Sequence, residues 1–246
     1  GSEMCIRYRP SGEAIDGFTF TNNLVDDCGW DQETYRAQSP SLALYHLKDS
    51  TINDNQIYGD HSPIKPITMT CGFWDTVTFY NNYILCHTDG RFSNYNGPDG
   101  EDPEIFFTMW GLEVWVNFDC SFYNNKLVNA GFSTTYGAGN KWYHNYVDKS
   151  GTDGRSYCIE ATGNADAKIY HNLLVGNPDS GSAWGINVGA PQNHGETSTL
   201  YAYVWGNVIV DMRRTGLFLD MTDTTDTTNA YFYAHNNTFY NIDNHS

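Results

Sequence analysis

The sequence predicts an all-β solenoid, a parallel β-helix of about eight coils, and three observations lead to it. Charged residues make up only 17% of the 246 residues, so runs of Lys, Glu and Leu that could build amphipathic helices are scarce. A short phrase centred on Asn recurs along the whole chain. The residues before each Asn alternate between apolar and polar, and this period of two is typical of half-buried strands.

The recurring phrase consists of an apolar residue, two further positions, an Asn and then apolar residues. It occurs eight times, with 20 to 43 residues between successive Asn. Asn tolerates the left-handed backbone conformation and its amide can bond to the main chain, so it suits a turn that ends a strand. In stacked coils such residues would form an asparagine ladder. The predicted members are Asn23, Asn55, Asn82, Asn125, Asn145, Asn172, Asn207 and Asn236.

Each repeat is predicted to contribute three strands. The first precedes the ladder Asn, as in 120–122, where Cys120 and Phe122 flank the polar Ser121. Another short strand follows the Asn directly, and a longer strand-like run completes the coil. We place the longer runs at residues 41–45, 66–71, 104–110, 132–136, 156–160, 184–188 and 216–220.

This pattern favours a β-helix over a propeller, because a propeller blade needs four strands in about 40–45 residues. The larger gaps between repeats imply inserted loops, notably at 88–104 and 176–200. Residues 3–246 are therefore predicted to form one β-helix domain, whereas Gly1 and Ser2 are typical of a cloning remnant. Neither end offers an amphipathic capping helix, so we expect the domain to come from a larger multidomain chain.

The charge balance excludes several classes of partner. The chain has 13 basic and 29 acidic residues, a net charge of −16. Nucleic acids and anionic membrane surfaces are not expected as partners, because binding them requires clustered Lys and Arg. The same repulsion disfavours polyanionic sugars unless Ca²⁺ or a local basic patch intervenes. No apolar run approaches the roughly 18 residues of a membrane span.

Six cysteines stand at positions 5, 28, 71, 86, 120 and 158 without a C-x-x-C pair, so we expect no structural zinc. They are predicted to be buried thiols, and a disulfide through Cys5 or Cys28 stays an open alternative. The acidic loops 96–104 and 148–154 do not match the twelve-residue calcium loop. We therefore expect no required metal or other cofactor, with Ca²⁺ as an open option.

Over residues 15–242 these Asn repeats resemble the right-handed parallel β-helix of the pectate-lyase-like superfamily. That fold serves lyases, glycosidases, tailspikes and binding modules alike. The acidic, Trp-rich coil is most similar to the xylan-binding β-helix modules, carbohydrate-binding module family 89, of rumen bacterial xylanases and esterases. The resemblance implies a secreted or cell-surface bacterial module that binds xylan or arabinoxylan. It also implies no catalytic residue in this domain and an attached catalytic domain.

An enzyme of the same superfamily is the alternative. Lyases that resemble this superfamily use a Lys or Arg base, for which Lys141 or Arg213 are candidates. Of the polygalacturonase-like motifs only one Asp-Asp pair is present, at 26–27. Two carboxylates for acid and base catalysis could come from Glu160, Asp211 or Asp220. A polysaccharide lyase or glycoside hydrolase therefore stays open.

The aromatic residues indicate where a polysaccharide would bind, because sugars stack their C–H faces on Trp and Tyr. One outward column precedes the ladder, and we expect its rings to stack on each other and to stabilise the coil. This column is Tyr80, Tyr123, Tyr143, Tyr170 and Trp205. Trp142, at an apolar position, is expected in the core. The predicted binding surface lies on the longer runs and consists of Trp74, Trp110, Trp115, Trp184, Glu160, Asn187 and Asp220.

Overall fold

The computed structural model describes residues 14–26, 42–59, 67–86, 110–151, 156–179, 183–189, 199–220 and 229–243. Within these ranges the chain forms 26 β-strands and no helix. The strands pair in parallel and assemble into three sheets, each of which receives strands from successive coils. This architecture is a parallel β-helix, as the repeats predict.

The first sheet contains the longest strands and is the one on which the site described below lies. Its order is β1-β5-β8-β11-β14-β17-β21-β24, with β4 beside β8 and β18 beside β14. Its strands are β1 (Ile15–Asp16), β4 (Leu42–Leu44), β5 (Leu47–Lys48), β8 (Ile67–Asp75), β11 (Trp110–Phe118), β14 (Gly131–Ala138), β17 (Ser156–Thr162), β18 (Asn164–Ala165), β21 (Ala183–Gly189) and β24 (Thr215–Asp220).

The other two sheets consist mainly of short strands on either side of the ladder. The second sheet contains β2 (Thr19–Thr21), β6 (Thr51–Asn53), β9 (Thr78–Tyr80), β12 (Ser121–Tyr123), β15 (Lys141–Tyr143), β19 (Ala167–Tyr170), β22 (Thr199–Trp205) and β25 (Asn229–His235). The third contains β3 (Leu24–Val25), β7 (Gln56–Gly59), β10 (Tyr83–Cys86), β13 (Lys126–Val128), β16 (Tyr146–Asp148), β20 (Leu173–Val175), β23 (Val208–Val210) and β26 (Thr238–Tyr240).

The asparagine ladder is present between the second and third sheets. Seven hydrogen bonds of 2.9–3.2 Å run from each Asn Nδ2 to the Asn Oδ1 of the next coil. The backbone N–H of the same Asn donates to that same oxygen at 3.0–3.1 Å. Burying an amide group costs little free energy only when its N–H and C=O groups are hydrogen-bonded, as they are in this ladder.

Two details of the ladder differ from the sequence prediction. Its last member is Asn237 and not Asn236, because Val204 pairs with Ala234 and shifts the final repeat by one residue. The left-handed residue is also not the ladder Asn but the one before it, since the ladder side chain must point into the coil. These residues are Asn22, Asp54, Asn81, Asn124, His144, His171, Gly206 and Asn236, with φ between 53° and 63°.

The interior is filled by apolar and aromatic side chains from all three sheets. Phe122 stacks on Trp142 at 5.4 Å and lies 6.3 Å from Trp74, and all three are fully buried. Trp142 is thus a core residue, as predicted. Cys86, Cys120 and Cys158 are buried thiols that form no disulfide, which confirms the prediction for these three. Of the remaining cysteines, those at 5 and 28 lie outside the described residues.

Candidate functional site

A column of polar side chains crosses the outer face of the first sheet. Glu113 on β11 pairs with Ser133 on β14, which pairs with Glu160 on β17, which pairs with Asn187 on β21. Leu112 and Val114 on either side of Glu113 belong to the core, so Glu113 points outward. Adjacent strands lie about 4.8 Å apart, so the four side chains are direct neighbours. We call these four residues the polar column.

Glu160 is half-buried within this column and is held by its neighbours. The Ser133 hydroxyl donates to Glu160 Oε2 at 2.8 Å, and the Thr134 hydroxyl donates to the Glu160 carbonyl at 3.1 Å. Burial raises the pKa of the Glu160 carboxyl above its ordinary value, and the charge of Glu113 acts in the same direction. Hydrogen bonds from Ser133 and Asn187 oppose this rise but do not cancel it. Glu160 therefore holds its proton to higher pH than an ordinary Glu.

Asn187 ends the polar part of the column and has an unused acceptor. Its side chain is only 4% exposed, and among the described residues no group donates to its Oδ1. Buried amide oxygens are nearly always bonded, so an orphan of this kind next to Glu160 needs an explanation. A hydroxyl group of a ligand is a chemically suitable donor.

Among the tryptophan side chains that the structure describes on this face, Trp115 has the most exposed ring. It lies two residues after Glu113 on the same strand and is 53% exposed. On β8, Gly72 lies between Phe73 and Cys71, which pair with Val116 and Val114, so it stands opposite Trp115. A side chain at Gly72 would collide with the Tyr45 ring at 2.5 Å. Because Gly72 has no side chain, the Tyr45 ring can occupy the space over Gly72, one coil away from Trp115.

Trp184 occupies the other side of the polar column, three residues before Asn187. It is half-buried and makes edge-to-face contacts with Tyr157 at 5.1 Å and Phe218 at 5.2 Å. The Arg214 guanidinium lies over its ring at 5.9 Å. Trp184 is therefore part of an aromatic cluster rather than an isolated platform.

Trp74 does not belong to the surface, and its predicted role in binding is wrong. Its ring is fully buried, and its Nε1 donates to the Leu44 carbonyl at 3.1 Å. Two other predicted residues lie on the first sheet by their backbones alone. Trp110 begins β11 and Asp220 ends β24, opposite Gly189, but their side chains lie outside the described part of the structure.

The outward column beside the ladder is a continuous stack of rings. The centroids of Tyr80, Tyr123, Tyr143, Tyr170 and Trp205 follow one another at 4.9, 4.9, 5.0 and 4.3 Å, with planes within 11°. Each ring covers the face of the next, which confirms the predicted structural role. Faces that are already stacked are not available to a sugar.

Glu113 and Ser133 were not predicted as site residues, although the sequence carries a signal for both. Glu113 lies between the apolar Leu112 and Val114, and Ser133 follows Phe132 in the strand-like run 132–136. Arg213, the candidate lyase base, instead donates from Nη1 to the Asp179 carbonyl at 3.0 Å. Within the described residues no three His, Cys, Asp or Glu side chains gather as a metal site. The same residues include no helix long and apolar enough to cross a membrane.

Comparisons with known proteins add no relative. No protein-family model, curated protein or solved structure matches the chain. The similarity to pectate-lyase-like β-helices and to xylan-binding modules therefore stays a prediction.

Proposed function

We propose that the chain binds a neutral β-linked plant polysaccharide, xylan before other polymers, on the outer face of the first sheet. The observation that carries the proposal is the exposed Trp115 ring beside a polar column with an orphan amide oxygen. An aromatic face and a few fixed polar groups are what a sugar site requires. Trp184 marks the opposite border of the same surface.

The charges of this surface favour a neutral polymer over an acidic one. Glu113 and Glu160 lie on the two coils next to that of Ser133. The negative charge of a uronate bound there would be repelled by these carboxylates. Sugar hydroxyls, in contrast, carry no charge and both donate and accept, so a neutral polymer meets no such repulsion at Glu113 and Glu160. The secreted, bacterial setting and an attached catalytic domain belong to the same proposal and rest on the family resemblance.

The test is native affinity electrophoresis through gels that contain arabinoxylan, β-glucan, galactomannan or polygalacturonate. We expect arabinoxylan to retard the protein, and Trp115→Ala to weaken binding about ten-fold, roughly 1.4 kcal/mol. Tyr240→Ala is the matched control, because Tyr240 is 68% exposed but lies on the third sheet. Equal binding by the wild type and Trp115→Ala would refute this site. Retardation by polygalacturonate alone would refute the polymer class.

A further inference from the structure

The outer face of the third sheet carries a stripe of apolar side chains. An inward residue of each strand, such as Leu174 on β20, lies in the core, so the residues on either side of it point outward. They form two columns. The first column is Tyr83, Lys126, Tyr146, Leu173, Val208 and Thr238, and the second is Leu85, Val128, Asp148, Val175, Val210 and Tyr240. We call these twelve residues the third-sheet stripe.

The stripe is large enough to be a contact surface. Leu173 is 41% exposed, its register partner Val208 is 39% exposed and Tyr240 is 68% exposed. With residue areas on the order of 200 Å², the twelve side chains together expose roughly 600 Å². Each partner in a standard protein interface buries about 800 Å², and contiguous apolar patches of more than a few hundred Å² mark interaction sites.

The two charged residues of the stripe have partners beside them. The Lys126 ammonium lies 5.4 Å from the centre of the Tyr83 ring and 5.8 Å from that of Tyr146. The Tyr146 hydroxyl donates to Asp148 Oδ2 at 2.9 Å, and the Ser150 hydroxyl donates to Asp148 Oδ1 at 2.6 Å. Covering the stripe would therefore bury no charge without a partner, and an unpartnered charge is the main cost of burying charged groups.

The charge distribution favours a second copy of the chain as the partner on this surface. A net charge of −16 makes copies of the chain repel each other. The stripe contains one Lys and one Asp, so it has no net charge. Contact through the stripe therefore adds no like charge to the repulsion between the copies.

The register of the two columns provides an arrangement for such a contact. A two-fold axis parallel to the solenoid lays the first column of each copy over the second column of the other, coil by coil. Leu173 then lies opposite the partner's Val175, and Val208 lies opposite the partner's Val210. Lys126 comes within one coil, about 4.8 Å along the axis, of the partner's Asp148. The contact is thus mostly apolar and is complementary in charge at Lys126.

We propose that the third-sheet stripe is the contact between two copies of this chain, which pair face to face with their solenoid axes parallel. Sheets that pack in this way lie about 10 Å apart, and side chains from the two faces fill the space between them. The first sheet is not part of the contact, so the contact does not cover the Trp115 face. Because the stripe is smaller than a standard interface, the dimer should be weak, with a Kd of roughly 10–100 µM.

The test is sedimentation velocity at protein concentrations from about ten-fold below to about ten-fold above this Kd. We expect a reversible equilibrium between monomer and dimer. Leu173→Glu should raise the Kd at least about ten-fold, because it places a carboxylate in the apolar part of the contact. Thr19→Glu is the matched control, since it adds the same charge at an exposed, outward position of the second sheet and should change the Kd less than about two-fold. Melting curves establish that each variant is folded.

Cross-linking with a short bismaleimide tests the arrangement of the two copies. A mixture of Leu173→Cys and Val175→Cys should form mixed cross-linked dimers faster than either variant alone, because the two positions face each other. Faster cross-linking within each variant than between them would overturn the two-fold arrangement. A chain that stays monomeric at every concentration, or equal changes in Kd for Leu173→Glu and Thr19→Glu, would overturn the contact itself.

Discussion

Lys149 is a fully buried lysine in the interior of the coil. It follows β16, and its Nζ donates to the Tyr157 carbonyl at 3.1 Å. Burial lowers the pKa of its ammonium group from 10.5 to about 8, although the neighbouring Cys158, Cys86 and Glu160 act in the opposite direction. The folded chain thus releases this proton at lower pH than the unfolded chain, which makes the charged lysine a cost to folding at neutral pH.

Replacing Lys149 by Met should therefore stabilise the protein at pH 7. The lowered pKa corresponds to at most about 3 kcal/mol at 1.36 kcal/mol per pKa unit, and loss of the bond to Tyr157 reduces the gain to roughly 1–2 kcal/mol. Between pH 8 and 10.5 the unfolded wild-type chain binds more protons than the folded one. Wild-type stability should therefore rise through this window, and its difference from Lys149→Met should shrink.

Denaturant unfolding from pH 7 to 10.5 measures both effects. Lys141→Met is the control, since Lys141 on β15 is exposed and its replacement should change stability by less than about 0.5 kcal/mol. A Lys149→Met protein that is less stable than the wild type at pH 7 would contradict the account.

Some residues of the site were predictable from the alternation of side chains, and others were not. Glu160 and Asn187 follow from strict alternation along β17 and β21. Trp74 does not, because its register partner on β11 is Asn117, two positions after the exposed Trp115, and yet both Trp74 and Asn117 are fully buried. The alternation between inward and outward side chains shifts by one position between residues 115 and 117, where the coil bends. A pattern of period two carries no sign of such a bend.

At the scale of the elements, the ladder joins all eight coils through one side-chain type. In its middle, Asn145 Nδ2 donates to the Phe122 carbonyl at 2.9 Å and to Asn172 Oδ1 at 3.0 Å. Its own Oδ1 accepts two bonds from Asn125. The Asn23 side chain, at the first coil, donates to Asn55 Oδ1 and to the Thr21 carbonyl, and Asn23 is not buried.

Asn145→Ala should consequently cost far more than Asn23→Ala. The first substitution removes the acceptor of the buried Asn125 N–H and the donor to the buried Phe122 carbonyl, about 2 kcal/mol or more at 1–3 kcal/mol for each unsatisfied group, whereas the Asn125 amide keeps its bond to the Phe79 carbonyl. The second leaves groups that water can reach, and we expect less than about 1 kcal/mol. Chemical denaturation of the two variants checks this difference. Similar costs would mean that the ladder is a by-product of stacking and not a source of stability.

The ladder also shows how far the sequence defines the elements. Seven of its eight members are predicted correctly, because an apolar residue three positions before each Asn sets the frame. The last repeat offers Asn236 and Asn237 side by side, and only pairing with β22 decides between them. The long strand β11 spans Trp110–Phe118, whereas the predicted run is 104–110, of which all but Trp110 lies outside the described residues. The rest of β11 was not predicted as a strand, since it mixes Glu113 and Asn117 with its apolar residues.

At the scale of the whole molecule, a net charge of −16 surrounds a site whose proposed ligand has no charge. Long-range repulsion by the acidic protein then disfavours the approach of acidic polymers, but it does not act on the contacts that a neutral polymer makes with the site. Stacking on Trp115 and hydrogen bonds to sugar hydroxyls involve a neutral partner. Salt therefore has no attraction between opposite charges to screen. An acidic polymer, in contrast, must approach against the field of the entire solenoid.

The salt dependence of binding should therefore separate the two kinds of polymer. Between 10 mM and 300 mM NaCl, where the screening length falls from about 30 Å to well under 10 Å, arabinoxylan retardation should change less than about two-fold. Polygalacturonate, measured in EDTA so that no calcium bridges like charges, should bind least at low salt and more as repulsion is screened. β-Glucan, as a second neutral polymer, should follow arabinoxylan in its salt response whatever its affinity. A steep fall of arabinoxylan binding with salt would mean that ionic contacts carry it, and would contradict recognition of a neutral chain by the Trp115 face.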